Sequence, residues 1–217
     1  VRGFTVCPPR GAELTQTFLG GELEAILQLG LPTALYQLPQ VTQNEMDAEL
    51  VSGLAARFPN FILFKDTSGH DRVALSGRPL DGVFLVRGAE GDYARWLAAG
   101  GGPYQGLLLS TANCFGRQLH EIATALQTGR VAEAQALSAR VAAMVAESFG
   151  LVAGLKDGNA FANANKAMDH FFAHGPGTHE VTPPRLHAGS RLPVDVIRAT
   201  GEALTRHGLM PAKGYLE

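Results

Sequence analysis

Residues 60–71 read "NFILFKDTSGHD": four apolar residues, Phe61–Phe64, end on Lys65, and small polar residues follow at once. A run that short, built from aromatic and branched side chains and closed by a turn signal, reads as a strand apolar on both faces. Strands of that kind belong to parallel sheets sandwiched between helices. Lys65 is the anomaly in it, because an ammonium is costly to remove from water.

The same unit recurs along the chain. Gly3–Val6, Thr33–Tyr36, Gly82–Val86 and Gly106–Leu109 are further short β-rich runs, spaced by about one strand plus its crossover helix. The intervening segments have helical periodicity. In Leu14–Leu29, the apolar Leu14, Phe18, Leu19, Leu23, Ile26 and Leu27 recur at intervals of three and four, and Asp47–Phe58 and Tyr93–Ala99 repeat the pattern more briefly. Alternating strands and helices predict an α/β fold with a parallel sheet, either doubly wound or a (β/α)8 TIM barrel. After residue 116 the strands stop. Arg117–Gly150 reads as two alanine-rich helices broken near Thr128–Gly129, and "NANKAMDHFFAHG" (163–175) and "PVDVIRATGEALTRHG" (193–208) as two more, each closed by glycine. The expected division is a partial barrel over 1–127 and a helical region over 128–217. The chain begins at Val1, and the strand at Gly3–Val6 has no turn or cap before it, so a preceding part is expected to be missing.

Composition narrows the function. With 18 Lys+Arg scattered among 20 Asp+Glu and a formal net charge of −2, there is no basic stripe for nucleic acid. The apolar runs are far shorter than the roughly 20 residues that span a bilayer, so no membrane partner is expected. Cys7 and Cys114 lack metal-ligand or redox spacing and no secretory signal is seen, which points to reduced thiols and the cytoplasm. The histidines show no metal spacing, and the glycine-rich stretches lack the residues of a nucleotide-binding loop, so neither a metal nor another cofactor is expected.

In β/α folds chemistry sits at the carboxyl ends of the strands. Those ends are "CPPRG", "YQLPQVT", "KDTSG", "RGAEGD" and "STANCFG". Tyr36 and Lys65 end consecutive strands and should be neighbours. Packed among Phe61–Phe64, the lysine's ammonium form is disfavoured, and a neutral amine can attack a carbonyl while a tyrosine hydroxyl shuttles the protons of Schiff-base formation. The competing reading is that Lys65 snorkels out to pair with Asp66 or Asp71, with Tyr36 a rim aromatic.

"LYQLP", then "FKDTSG", then "GLLLSTAN" resemble the dihydrodipicolinate synthase and N-acetylneuraminate lyase family, class I aldolases that act on pyruvate or related 2-oxo acids. The resemblance covers essentially the whole chain. It implies a (β/α)8 barrel of which strands four to eight and the C-terminal helices are present and the first three β/α units are not. Lys65 would be the Schiff-base lysine and Tyr36, with Pro39, the Tyr-x-x-Pro motif. It also implies that Gly88 lets backbone approach the substrate, where the other reading is a glycine that simply makes the turn of "RGAEGD", that the backbone carbonyl of Leu108 faces the bound 2-oxo acid while its side chain is core, and that the protein is a homo-oligomer, a tetramer or dimer. No metal is called for.

The departures from the family pattern concern substrate. Pro8, Pro9, Arg10 and Gly11 stand where dihydrodipicolinate synthases carry Pro-Tyr-Tyr, so a relay tyrosine is lost, and Val41 stands where they carry an arginine for the aldehyde partner's carboxylate. Arg10, and more weakly Arg87, could serve as an anion clamp, or be a solvated arginine. Thr42 could bond a substrate hydroxyl, or be a turn residue. Ser110, Thr111 and Asn113 fix the loop after the last strand. The resemblance therefore implies an aldolase acting on pyruvate or a 2-oxo-3-deoxy sugar acid. The alternatives are a non-catalytic relative that binds a 2-oxo acid and a true 4-hydroxy-tetrahydrodipicolinate synthase.

Overall fold

The structure, a computed structural model, describes residues 2–178 and 181–216. Its elements run β1 (Phe4–Val6), α1 (Gln16–Leu27), β2 (Thr33–Gln37), α2 (Pro39–Thr42), α3 (Ala48–Arg57), β3 (Phe61–Asp66), α4 (Arg72–Leu75), β4 (Phe84–Arg87), α5 (Tyr93–Trp96), β5 (Gly106–Leu107), α6 (Ala112–Gln127), α7 (Val131–Val152), α8 (Ala160–His174) and α9 (Val194–Arg206). Backbone contacts divide it into two compact units, residues 1–89 with 96–109, and residues 90–95 with 110–217. The helix α6, inside 1–127 in the expected division, packs with α7 and α8 in the second unit.

In the first unit all five strands are parallel and lie in sequence order, β1-β2-β3-β4-β5. A doubly wound sheet reverses its order at a switch point, whereas here each new strand adds on the same side, the winding of a barrel. Alternation then sorts the side chains. Leu35, Phe64 and Leu85 share one register row and face the core with Leu23, Leu27, Met46, Val51 and Leu54 of the flanking segments. Each fully buried side chain of this size stabilises the fold by about 1.5–3 kcal/mol. Helix ends are fixed locally: Thr15 caps α1 through Phe18 N, and Asp47 caps α3 through Leu50 N at 2.7 Å.

The expectation of strands buried on both faces is corrected. Next to the Leu35–Phe64–Leu85 row runs the Tyr36–Lys65–Val86 row on the opposite face, and there Tyr36 and Lys65 are only half-buried while Phe84 on the same face is 49% exposed. Val86 alone in that row is buried, and the helices of this unit pack against the opposite face. The strand read as Phe61–Phe64 also continues through Lys65 to Asp66, and the last strand stops at Leu107 rather than Leu109.

In the second unit α7 buries Ala134, Ser138, Val141, Met144, Val145, Ser148 and Val152, one stripe at helical spacing. Phe115 meets Phe172 edge-to-face at 5.5 Å between centroids, and Gly201 on α9 admits the ring of Phe171, which would lie 2.5 Å from a Cβ placed there. Thr111 Oγ1 donates to Glu90 Oε2 at 2.6 Å and Asn113 Nδ2 to the Ser110 carbonyl at 2.8 Å, so these residues brace the loop at the start of α6.

Candidate functional site

Register alone makes Tyr36 and Lys65 direct neighbours across β2 and β3. The Lys65 amine lies over the face of the Tyr36 ring, 4.1 Å from its centroid, where the ring quadrupole attracts a cation. Among the described residues Lys65 forms no ion pair. Asp66 and Asp71, the partners it could have snorkelled toward, are engaged elsewhere.

Gly88, one residue beyond β4, closes the space on the other side. A Cβ there would fall 2.0 Å from Thr67 Oγ1 and 2.7 Å from Lys65 Cε, so only glycine lets the three approach. Its N–H donates to the Asp66 carbonyl at 2.6 Å, which fixes the approach. Thr67, which sequence reasoning passed over, is 7% exposed, and its hydroxyl is buried without a hydrogen-bond partner. Its backbone is held, with N–H donating to Gln37 O at 2.9 Å and O accepting from Gln40 Nε2 at 3.1 Å. An unmet buried hydroxyl costs about 1–3 kcal/mol, a reason to look for what it would bond. The signal in the sequence was its place two residues after Lys65, on the same side of an extended segment.

The other candidates divide. Thr42 is buried on α2 and its hydroxyl lies 3.2 Å from Leu38 O and 3.1 Å from Asn44 O, so its one proton is committed to backbone. Arg10 is exposed on a loop that Asn44 pins: Asn44 Nδ2 donates to Pro9 O at 2.7 Å and Gly11 O at 2.9 Å, and Gly11 N donates to Thr42 O. Val41 is exposed. Leu108 donates its N–H to Arg87 O at 2.9 Å, but its side chain, expected in the core, is 49% exposed because it belongs to the uncovered face.

Arg87 as an anion clamp is corrected. Its guanidinium is buried and grips Asp71 through two bonds, Nε to Oδ1 at 2.9 Å and the terminal amine to Oδ2 at 3.0 Å, while lying 4.5 Å over the Trp96 ring. Tyr104 donates to Asp71 Oδ1 at 2.7 Å, with Asp66 Oδ2 3.4 Å away. Asp66 Oδ1 accepts the Ser68 N–H at 2.8 Å. Burial is the main cause that raises the Asp66 pKa, against the Ser68 hydrogen bonds, and burial beside Asp66 and Asp71 pushes the Tyr104 phenol up. This cluster lies behind the lysine, since Asp66 follows Lys65 on the strand and points the other way.

Residues 12–162 match the sequence profile of the Dihydrodipicolinate synthetase family. The chain belongs to that family. A 4-hydroxy-tetrahydrodipicolinate synthase of Azoarcus sp. (strain BH72) is 33% identical over 113 residues, 51% of this chain and 37% of that protein. The match thus spans about a third of the relative's length. Among solved structures, a dihydrodipicolinate synthase of Bacillus anthracis superposes with a TM-score of 0.70 at 18% identity, covering 94% of this chain and 65% of its own. A variant of the Sulfolobus solfataricus 2-keto-3-deoxygluconate aldolase in complex with pyruvate gives 0.71 at 15% identity, covering 95% and 65%. At such identities the likeness is one of fold.

Among the described residues no three His, Cys, Asp or Glu side chains gather as a metal site requires, and no helix is long and apolar enough to cross a membrane. The helical unit has a cavity of about 890 Å³, lined by Phe171, Val181, Val194, Ile197 and Met210 among others.

Proposed function

We propose that this chain carries the reacting half of a class I aldolase, with Lys65 as its Schiff-base lysine. The observation that carries the reading is the placing of an amine free of carboxylate partners beside Tyr36, with Gly88 and the unmet hydroxyl of Thr67 around it. Lys65 Nζ attacks C2 of a 2-oxo acid, and the carbinolamine loses water with a proton from the Tyr36 hydroxyl. In cleavage the protonated iminium takes up the electron pair of the C3–C4 bond as it breaks and the C4 hydroxyl gives up its proton, leaving an enamine and an aldehyde; in synthesis the enamine C3 attacks the aldehyde carbon, whose oxygen takes a proton, and the iminium forms again. The chain would supply strands four to eight of a (β/α)8 barrel, whose interior is the half-exposed face bearing Lys65, and the family's oligomers, tetramer or dimer, are the expected assembly.

A 2-oxo-3-deoxy sugar acid is the substrate class we favour. Thr67 offers a buried hydroxyl to a substrate hydroxyl, a role for which Thr42 has no proton to spare, and Val41 replaces the carboxylate-binding arginine of the synthases. Arg10 and the Leu108 carbonyl remain proposed contacts at the rim, for carboxylate and 2-oxo acid respectively.

Borohydride reduction in the presence of pyruvate tests the reading. A stable mass increase on Lys65, absent from Lys65→Ala, is expected, together with a fall of about a thousandfold or more in pyruvate release from 2-oxo-3-deoxy acids, an interaction worth at least about 4 kcal/mol. The absence of any adduct across a panel of 2-oxo acids would leave a binding protein without catalysis.

A further inference from the structure

Cys7 has no part in the chemistry above, yet its position puts it there. Val6 pairs with Leu35, on the face that meets the helices. Side chains alternate along an extended strand, so the next residue, Cys7, belongs on the opposite face, in the row that continues through Tyr36 and Lys65 to Val86. Cys7 is half-buried and is not in a disulfide. Burial pushes its thiol above the usual value, against the opposing pull of the positive charge on Lys65. On the far side of Lys65 the unmet hydroxyl of Thr67 faces the same space.

We propose that Cys7 is a wall of the pocket that receives the 2-oxo acid, and that its thiol is a modification site whose alkylation closes that pocket. The inference rests on the reading of Lys65 as the Schiff-base former. The reaction with iodoacetamide is a displacement: the Cys7 sulfur, its proton lost to water, forms a bond to the methylene carbon as the carbon–iodine bond breaks and iodide leaves with the electron pair. A thiol held protonated reacts slowly, so the modification is run near pH ~8.5, where an ordinary thiol is half ionised.

Cys114 provides the internal reference. It is buried, its sulfur lies 3.5 Å from the Asn165 carbonyl, and its pKa is pushed up to about 12, so it should stay unmodified in the folded protein.

The test uses the whole chain, peptide mapping by mass spectrometry and the borohydride adduct as a second readout. Iodoacetamide is expected to label Cys7 ahead of Cys114, and saturating pyruvate fixed on Lys65 with borohydride should slow the labelling at least tenfold. Protein already alkylated at Cys7 should lose the capacity to trap pyruvate in proportion to the label. The variant Cys114→Ser should label and trap as the parent does. If Lys65 traps pyruvate and Cys7 is alkylated equally fast with and without it, or if the alkylated protein traps undiminished, the placing of Cys7 is overturned while the Schiff-base reading stands. If Lys65 traps nothing, both fall.

Discussion

Lys65 and Asp66 are consecutive residues at the end of one strand, and their surroundings are opposites. Lys65 lies on a half-open face with one aromatic ring beside it, a bare glycine opposite and an unmet hydroxyl nearby. Asp66 lies on the covered face, in a buried cluster where Asp71, Arg87, Tyr104 and Ser68 satisfy one another's polar groups. The pleat has period two, so a single register sets the reactive group and its support back to back. The difference teaches that polarity near a lysine does not by itself mark a reactive side: the hydrogen-bonded ionic cluster is scaffold, and the sparse face is the one on which we place the proposed chemistry.

Breaking the scaffold face should give the largest change in stability. Asp71→Ala removes the carboxylate that neutralises the buried Arg87 guanidinium, which keeps the Ala89 carbonyl and the Trp96 ring, and removing one partner of a buried ion pair costs about 3–5 kcal/mol. Urea denaturation should show that loss. Replacing both charges, Asp71→Asn with Arg87→Met, should recover most of it, since asparagine keeps an oxygen for the Tyr104 hydroxyl and tolerates the left-handed backbone at this position (φ 55°), and no charge is left unneutralised. A loss below about 1 kcal/mol for Asp71→Ala would mean that the cluster is not the support described.

Breaking the reactive face should cost activity rather than stability. In Gly88→Ala the new methyl carbon overlaps Thr67 Oγ1 and presses on Lys65 Cε. A displacement of about 1 Å at a reacting group can cost about 10²-fold. The rate of pyruvate trapping should fall by about that factor, with a smaller effect on the denaturation midpoint. Combining Gly88→Ala with Thr67→Ala separates the two overlaps, because the clash with Thr67 Oγ1 is then gone and what remains is the contact with Lys65 Cε at 2.7 Å and a milder one with the Cβ of residue 67 at 3.2 Å. If trapping is unchanged in Gly88→Ala, the amine is not confined as the geometry has it.

The two faces were not equally legible in the sequence. The Lys65 side was readable because its signals are local: an apolar run ending in lysine, a tyrosine ending the preceding strand, a glycine after the next. The spacing of those runs gave parallel strands but left a doubly wound sheet open, and the barrel order came with the family resemblance. The Asp66 side was not, because Asp71, Arg87 and Tyr104 stand far apart along the chain and only the parallel register gathers them. Arg87 read as a clamp for that reason, since a sequence shows a charge and not the carboxylate folded against it. The strands read as covered on both sides and Leu108 as core, which holds here only for the helix-facing row, since Leu108 and Phe84 are each 49% exposed. Thr67 was overlooked because a threonine in "KDTSG" resembles any turn residue until its hydroxyl is seen to be buried without a partner.

The smallest effect sharpens the comparison most, since it is read within the strand itself. Asp66 has its pKa raised by burial in the folded protein, with the nearby Asp71 and Glu45 charges adding to it. A folded carboxyl that binds its proton more tightly than the unfolded one adds stability that is fully present below the unfolded value, about 3.9. That stability is lost as pH rises through the raised folded value. The variant Asp66→Asn keeps an oxygen for the Ser68 N–H and has no proton to release. Wild type should therefore be favoured over Asp66→Asn in acid and lose that advantage as pH rises above the ordinary carboxylate range, in denaturation curves taken between about pH 4 and 8. A difference independent of pH would place Asp66 in water, on a face like that of Lys65, and the division of the strand into a reactive and a structural side would fail.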